Sequence, residues 1–257
     1  MNRFNLCVGG GASRSLKAFT LAEVLITLAI IGVVAALTIP SVVTNYKNQE
    51  TATRLKKTFA TLANTTNLAI KDHGPIVGWD LGDTNQSGEQ AAEFADKYVV
   101  PYLRVIKHCG ISTEEGCWYS DDSLPRTLNN TLGLIVANKH PRYILSDGTL
   151  VAMFLVKNAT SKRIDIYVDV NGFKKPNILG KDIFTFRYSL ITNNQPSGKF
   201  TMICKKVFEE NITNEANGCQ LGSDGAYCTC FVQKAGWKIP SRKEYVDMGG
   251  NPAKYPW

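Results

Sequence analysis

Residues 19–43 read FTLAEVLITLAIIGVVAALTIPSVV. The stretch is apolar for the length of a membrane span, since a hydrocarbon core about 30 Å thick takes roughly 20 residues of helix. One acid interrupts it near the start, Glu23. A carboxylate inside a span costs about 2.5–3.5 kcal/mol on insertion scales, so a segment that keeps one is expected to have a partner for it. Ahead of the run lies a basic leader, MNRFNLCVGGGASRSLKA, with Arg3, Arg14 and Lys17 and no acid. Positive charge flanking a span stays in the cytoplasm, which predicts an inside N-terminus and a C-terminal bulk outside. A secretory signal would end in a small-residue cleavage site. None closes this run: the change of character falls before it, between Ala18 and Phe19.

The segment Phe19-Thr20-Leu21-Ala22-Glu23, followed by Gly32 and Pro40, resembles the N-terminus of the type IV pilin and pseudopilin family, including the pseudopilins of type II secretion. Counted from Phe19, Glu23 falls fifth, Gly32 fourteenth and Pro40 twenty-second, which is the family's spacing. The resemblance implies cytoplasmic-side cleavage by a prepilin peptidase between Ala18 and Phe19, then N-methylation of the new Phe19 amine. Ala18 departs from the Gly usual before the cut. The resemblance also implies assembly through Phe19, Glu23, Gly32 and Pro40, with Glu23 of one subunit meeting the Phe19 amine of its neighbour. Low dielectric strengthens such a pair, and the helix N-terminus itself favours a carboxylate there. Pro40 is expected to kink or locally open the helix. The segment from Gly32 to Pro40 reads either as tolerated punctuation in a span or as a stretch that extends in the filament. Thr27 is expected to bond back to a carbonyl one turn earlier.

The partners implied are the prepilin peptidase, other copies and other pilin-like subunits, an inner-membrane assembly platform with its ATPase, and membrane lipid. The implied location is the bacterial inner membrane, single-pass, and a filament after assembly. Three functions remain open: a pseudopilus subunit of type II secretion, a true type IV pilin for adhesion, motility or DNA uptake, and a monomeric membrane-anchored binding protein.

The 257 residues carry a net charge of +7, of which the leader accounts for +3, leaving +4 for the rest. That is mild, and no basic stripe interleaves with aromatics, so no nucleic-acid partner is expected. Of the 7 cysteines, Cys7 lies in the leader. The other six, Cys109, Cys117, Cys204, Cys219, Cys228 and Cys230, form an even set in a segment expected outside the cytoplasm, which reads as disulfides. Cys109 and Cys117 enclose a short polar loop and are expected to pair. Cys219 is expected to bond Cys228 or Cys230. A zinc site on Cys219, Cys228 and Cys230 is the rival, against which the missing C-x-x-C spacing counts.

Leu55, Phe59, Leu62, Thr66 and Ile70 recur at helical spacing, so the helix of the span is expected to continue to about Asp72 and stop at His73-Gly74-Pro75. A second helix begins near Gly88. From Arg142 the texture turns to short β-rich runs, with Asp147-Gly148 as a hairpin signal. The fold predicted is α+β: a long N-terminal helix, membrane-spanning in its first half, packed on an antiparallel β-sheet domain of four or five strands, pinned by disulfides. Pilin-like chains have that architecture. The divisions are a leader at 1–18, a span at 19–43, a helical continuation at 44–72 and an extracytoplasmic globular domain at 73–257. The tail from Cys219 reads as turn-rich.

One further segment stands out, DVNGFKKPN at 169–177 followed by Gly180-Lys181-Asp182. Oxygen ligands two apart with a following Gly can begin a calcium loop, with Asp169, Asn171 and Asp182 as ligands. Major pseudopilins bind calcium in a loop of this domain, so the resemblance points the same way. Twelve along from Asp169 stands Gly180 rather than an acid, which excludes an EF-hand. The alternative is a structural turn in which Asp and Asn cap and Pro stiffens. No enzyme is predicted. His73, His108 and His140 are scattered and expected on the surface or in loops, and no nucleotide-binding or nucleophile motif appears.

Overall fold

The computed structural model describes residues 19–111, 116–117, 119, 123–133, 140–203 and 218–257. The chain divides into two units, Met1–Tyr46 and Lys47–Trp257, and helix α1, Leu21–His73, contributes to both. In the first unit α1 continues unbroken through Pro40, so the local opening expected there is absent. Proline removes a single backbone hydrogen bond. Around it the hydroxyls of Thr38, Ser41 and Thr44 donate to the carbonyls of Val34, Thr38 and Pro40. Thr27 does the same to Val24. Such back-bonds satisfy these hydroxyls without water.

In the second unit α1 turns a stripe of Ala52, Leu55, Thr58, Leu62, Thr65, Thr66 and Ala69 inward. Thr66 Oγ1 on this stripe and Tyr188 OH on the sheet share a buried hydrogen bond of 2.9 Å. Phe59 and Ile70 sit half-buried at the edges of that stripe. Helix α2, Gly88–Tyr98, is capped by Ser87, whose side chain accepts from the Gln90 N–H.

Six strands form one sheet in the order β1-β2-β3-β4-β5-β6, every neighbour antiparallel. They are β1 Val105–Gly110, β2 Arg142–Leu145, β3 Leu150–Lys157, β4 Lys162–Asp169, β5 Ile183–Thr192 and β6 Gln195–Met202. Both central strands are buried on both faces; β3 reads as an apolar run, whereas β4 alternates Ile164, Ile166 and Val168 with Asp165, Tyr167 and Asp169. One face, with Val151, Met153, Ile166 and Phe186, packs with Leu55, Leu62 and Phe94. The other, with Ala152, Tyr167 and Ile183, packs with Leu179 and Ala226.

Two corrections to the sequence reading concern edges. No strand was expected at β1, whose last two residues fall at the start of the loop read from Cys109 onward. Its residues Ile106, Lys107 and His108 are exposed and its register with β2 slips twice, so it carries no strand periodicity. Strand β6 starts at Gln195, ahead of the β-rich run of sequence that opens at Phe200, because Asn193 and Asn194 both take positive φ and make a tight hairpin turn. A third correction concerns the tail, which holds helices α3, Cys228–Lys234, and α4, Arg242–Asp247. Ser241 and Glu244 close a reciprocal capping box on α4, which sets its start in only six residues.

Candidate functional site

Two arrangements hold the residues singled out from the sequence. The first is the start of α1. The Thr20 N–H and hydroxyl both donate to Glu23 Oε2, at 2.8 and 2.9 Å, and the Glu23 N–H donates back to Thr20 Oγ1 at 3.2 Å. This is a capping box: two donors at the helix start are satisfied by one carboxylate and one hydroxyl. The sequence reading missed it, although Thr-x-x-Glu ahead of an apolar run is its signature. The apolar residues that follow are exposed within the unit; Leu21, for example, is 77% exposed. Outside the helix's own backbone, no atom of the described residues lies within 4 Å of where a Gly32 Cβ would stand. Ala18 lies outside the described residues, as do the leader bases and Cys7.

The second arrangement is the loop between β4 and β5. Asp169 and Asp182 are both buried, at 0 and 2% exposure. Asp169 Oδ1 accepts from the Asn171 N–H at 3.1 Å, and its Oδ2 accepts from the Tyr119 hydroxyl at 2.8 Å. Asp182 Oδ2 accepts from the Asn177 N–H at 2.8 Å and from Asn171 Nδ2 at 3.2 Å, and its Oδ1 accepts from the Ile178 N–H at 2.7 Å. Asn171 therefore bridges the two carboxylates. Burial, with the charge of Asp182 second, pushes Asp169 well above the usual carboxylate range. Burial also pushes Asp182 up to about 6. The Tyr119 phenol is raised by burial and then by Asp169. The buried Arg142 beside it is brought down to about 10 by desolvation. Among the described residues no Lys, Arg or His forms an ion pair with either Asp.

Among the described residues, the amide oxygens Asn171 Oδ1 and Asn177 Oδ1 are buried and have no donor. An orphaned buried acceptor costs about 1–3 kcal/mol and is uncommon in a native fold. Asn177 was not among the expected ligands. Its own side-chain Nδ2 donates to Ser123 O at 2.7 Å, and its φ is 52°. Two carboxylates and two amide oxygens are hard donors that suit calcium rather than zinc. Among the described residues no three His, Cys, Asp or Glu side chains converge. Calcium takes six to eight oxygens, so backbone carbonyls or water would complete the set.

Cys109 is bonded to Cys117 and Cys219 to Cys228. The second bond joins two of the three sulfurs of the zinc alternative and removes it. Cys230 is also disulfide-bonded, and Cys204 lies outside the described residues. His73 and His108 are exposed, whereas His140 is buried edge-on against Phe154 at 4.6 Å.

Residues 41–245 match the model of a family of unknown function, DUF6613. Residues 14–39 match the prokaryotic N-terminal methylation motif. No curated protein and no solved structure matches the chain. The methylation motif is the signature of prepilin-type cleavage in type IV pilins and pseudopilins. It supports a pilin-like subunit, and it implies processing by a prepilin peptidase and assembly with other pilin subunits. Among the described residues one helix, Leu21–His73, which overlaps the motif, is long and apolar enough to cross a membrane, and together they suggest single-pass inner-membrane anchoring.

Proposed function

The chain belongs to the DUF6613 family of unknown function, and from that premise we propose that it is a subunit of a type II secretion pseudopilus. The observation that carries the reading is Glu23 inside an apolar helix that bears the methylation motif. Cleavage between Ala18 and Phe19 creates an amine that did not exist in the precursor. The N-terminus faces the cytoplasm and the sheet domain lies outside. An inner-membrane platform and its ATPase drive the subunit into the filament. There Glu23 of one copy meets the methylated Phe19 amine of the next and sets axial register, as single buried polar groups do in coiled coils. Both Thr20 bonds fall on Glu23 Oε2, which leaves Oε1 to receive that amine. Gly32 and Pro40 lie further along the same packed helix.

Glu23→Ala tests this. The variant is expected to insert and be cleaved normally, yet fail to cross-link to neighbouring subunits. Normal incorporation of the variant into filaments sinks the reading. A filament extending from the cell surface, rather than one confined to the envelope, replaces the pseudopilus with a true type IV pilus. A subunit that never co-purifies with another copy points to a monomeric anchored binding protein.

A second reading concerns the β4–β5 loop, as a calcium site formed by Asp169, Asn171, Asn177 and Asp182. The two orphaned amide oxygens favour it over a plain turn. Calcium in hundredfold excess over its dissociation constant stabilises a folded site by about 2.7 kcal/mol. The melting midpoint of the full chain is expected to rise with calcium and fall with chelator. A midpoint that ignores both leaves the turn.

A further inference from the structure

The turn that ends in Asp182 is held from outside by a side chain far away in sequence. Trp257 Nε1 donates to Gly180 O at 2.8 Å. Gly180 lies in the turn from Asn177 to Ile183, where its own N–H reaches Ile183 O at 2.7 Å and the Lys181 N–H reaches Ile178 O at 2.9 Å. The carboxylate of Asp182 closes the same turn through the N–H groups of Asn177 and Ile178. Any change in the turn's shape that moves Asp182 therefore moves the carbonyl that Trp257 holds.

Trp257 is not a loose end. Its ring meets Tyr255 and Tyr245 edge-on at 6.0 and 6.3 Å. The Tyr245 hydroxyl donates to Cys219 O at 2.9 Å, and the Leu221 N–H donates to Lys254 O at 2.9 Å. The segment bearing Trp257 is thus stitched to the stretch stapled by the Cys219–Cys228 disulfide. That disulfide also walls the turn, because Cys228 Sγ stands 2.6 Å from where a Gly180 Cβ would be.

We propose that Trp257 is a positioning residue for the calcium loop, its indole N–H fixing the Asn177–Ile183 turn in the shape that presents Asp182 and Asn177 to the ion. The inference rests on the calcium reading above. Coupling of this kind is reciprocal: what the indole does for calcium affinity, calcium does for the indole.

The test is calcium titration of the full chain in detergent, against a competing fluorescent chelator, for wild type, Trp257→Phe and Tyr255→Phe. Phe keeps the ring of residue 257 and loses only the donor. Tyr255→Phe is the control, since it deletes a bond from the same segment to Pro240 O that does not reach the loop. The expected result is an affinity about tenfold weaker in Trp257→Phe and unchanged in Tyr255→Phe. In wild-type protein labelled with 5-fluorotryptophan, the Trp257 resonance is expected to shift with calcium while that of Trp237 stays. Calcium binding with equal affinity in all three proteins overturns the positioning role and leaves the site standing. Equal weakening in both variants also overturns it, in favour of general support by the tail. No calcium binding in wild type removes the site itself. A Trp257→Phe chain that fails to fold leaves the fluorine measurement to decide, and an unmoved Trp257 signal under bound calcium overturns the proposal.

Discussion

Thr20 and Glu23 complete each other: the threonine supplies two donors to the glutamate carboxylate, and the glutamate backbone returns one to the threonine hydroxyl. The carboxylate that makes the apolar helix expensive to insert is therefore engaged before any second subunit arrives. Neither residue is changed by a cut between Ala18 and Phe19, so the box is compatible with both precursor and processed chain. Assembly then adds a cation to an acid already aimed by its cap.

Thr20→Val removes the hydroxyl and two of the three bonds while keeping shape. Loss of a cap costs about 1 kcal/mol, or roughly fivefold in an equilibrium. Cleavage is expected to proceed as in wild type, and the yield of cross-linked multimers to fall severalfold. Thr20→Ser, which keeps the hydroxyl, is expected to restore it. Equal multimer yields in all three proteins would show that the box has no part in assembly.

What the sequence disclosed and what it hid follow from how far apart the determining residues lie. The helix to His73 and the central strands were legible because their signals are local: Leu55 and Leu62 recur on one helix face, and Leu150 to Val156 form a mostly buried run. Strand β1 was hidden because edge residues such as Ile106 and Lys107 answer to solvent on one side and to an irregular register on the other. Helix α3 was hidden among cysteines and small polar residues whose burial depends on Leu128 and Tyr245, distant in sequence. In the β4–β5 loop, Asp169, Asn171 and Asp182 announced themselves by spacing. Tyr119 and Trp257 reach that loop only through the fold.

Asp224 gives a pH signature independent of the calcium loop. Burial pushes its carboxyl up to about 6, against 3.8 when unperturbed. A folded-state value above the unfolded one means the native chain holds the proton more tightly. Its contribution is full below about pH 4 and is lost as pH rises through about 6. Asp224→Asn keeps an oxygen to accept the Ala226 N–H, which Asp224 Oδ1 takes at 2.9 Å. The variant is expected to melt with wild type near pH 3.5 and a few degrees above it at pH 7.5. Parallel melting curves across that range would contradict the burial argument.

Two glycines separate backbone strain from crowding. Gly236 takes φ +76° with no atom of the described residues within 4 Å of a built Cβ, whereas Gly180 takes φ +91° with Cys228 Sγ at 2.6 Å and Gly225 O at 3.1 Å. Alanine at 236 meets only the left-handed penalty, about 1–2 kcal/mol. Alanine at 180 meets that penalty and a collision with a disulfide sulfur, whose neighbours cannot give way cheaply in a close-packed interior. Gly236→Ala is expected to lower the melting midpoint by several degrees, at about 2–4 °C per kcal/mol for a domain of this size. Gly180→Ala is expected to cost clearly more and to leave thiols at Cys219 and Cys228 open to alkylation without reductant. If the two variants melt together and both keep the disulfide, the close approach of Cys228 to Gly180 does not constrain the turn.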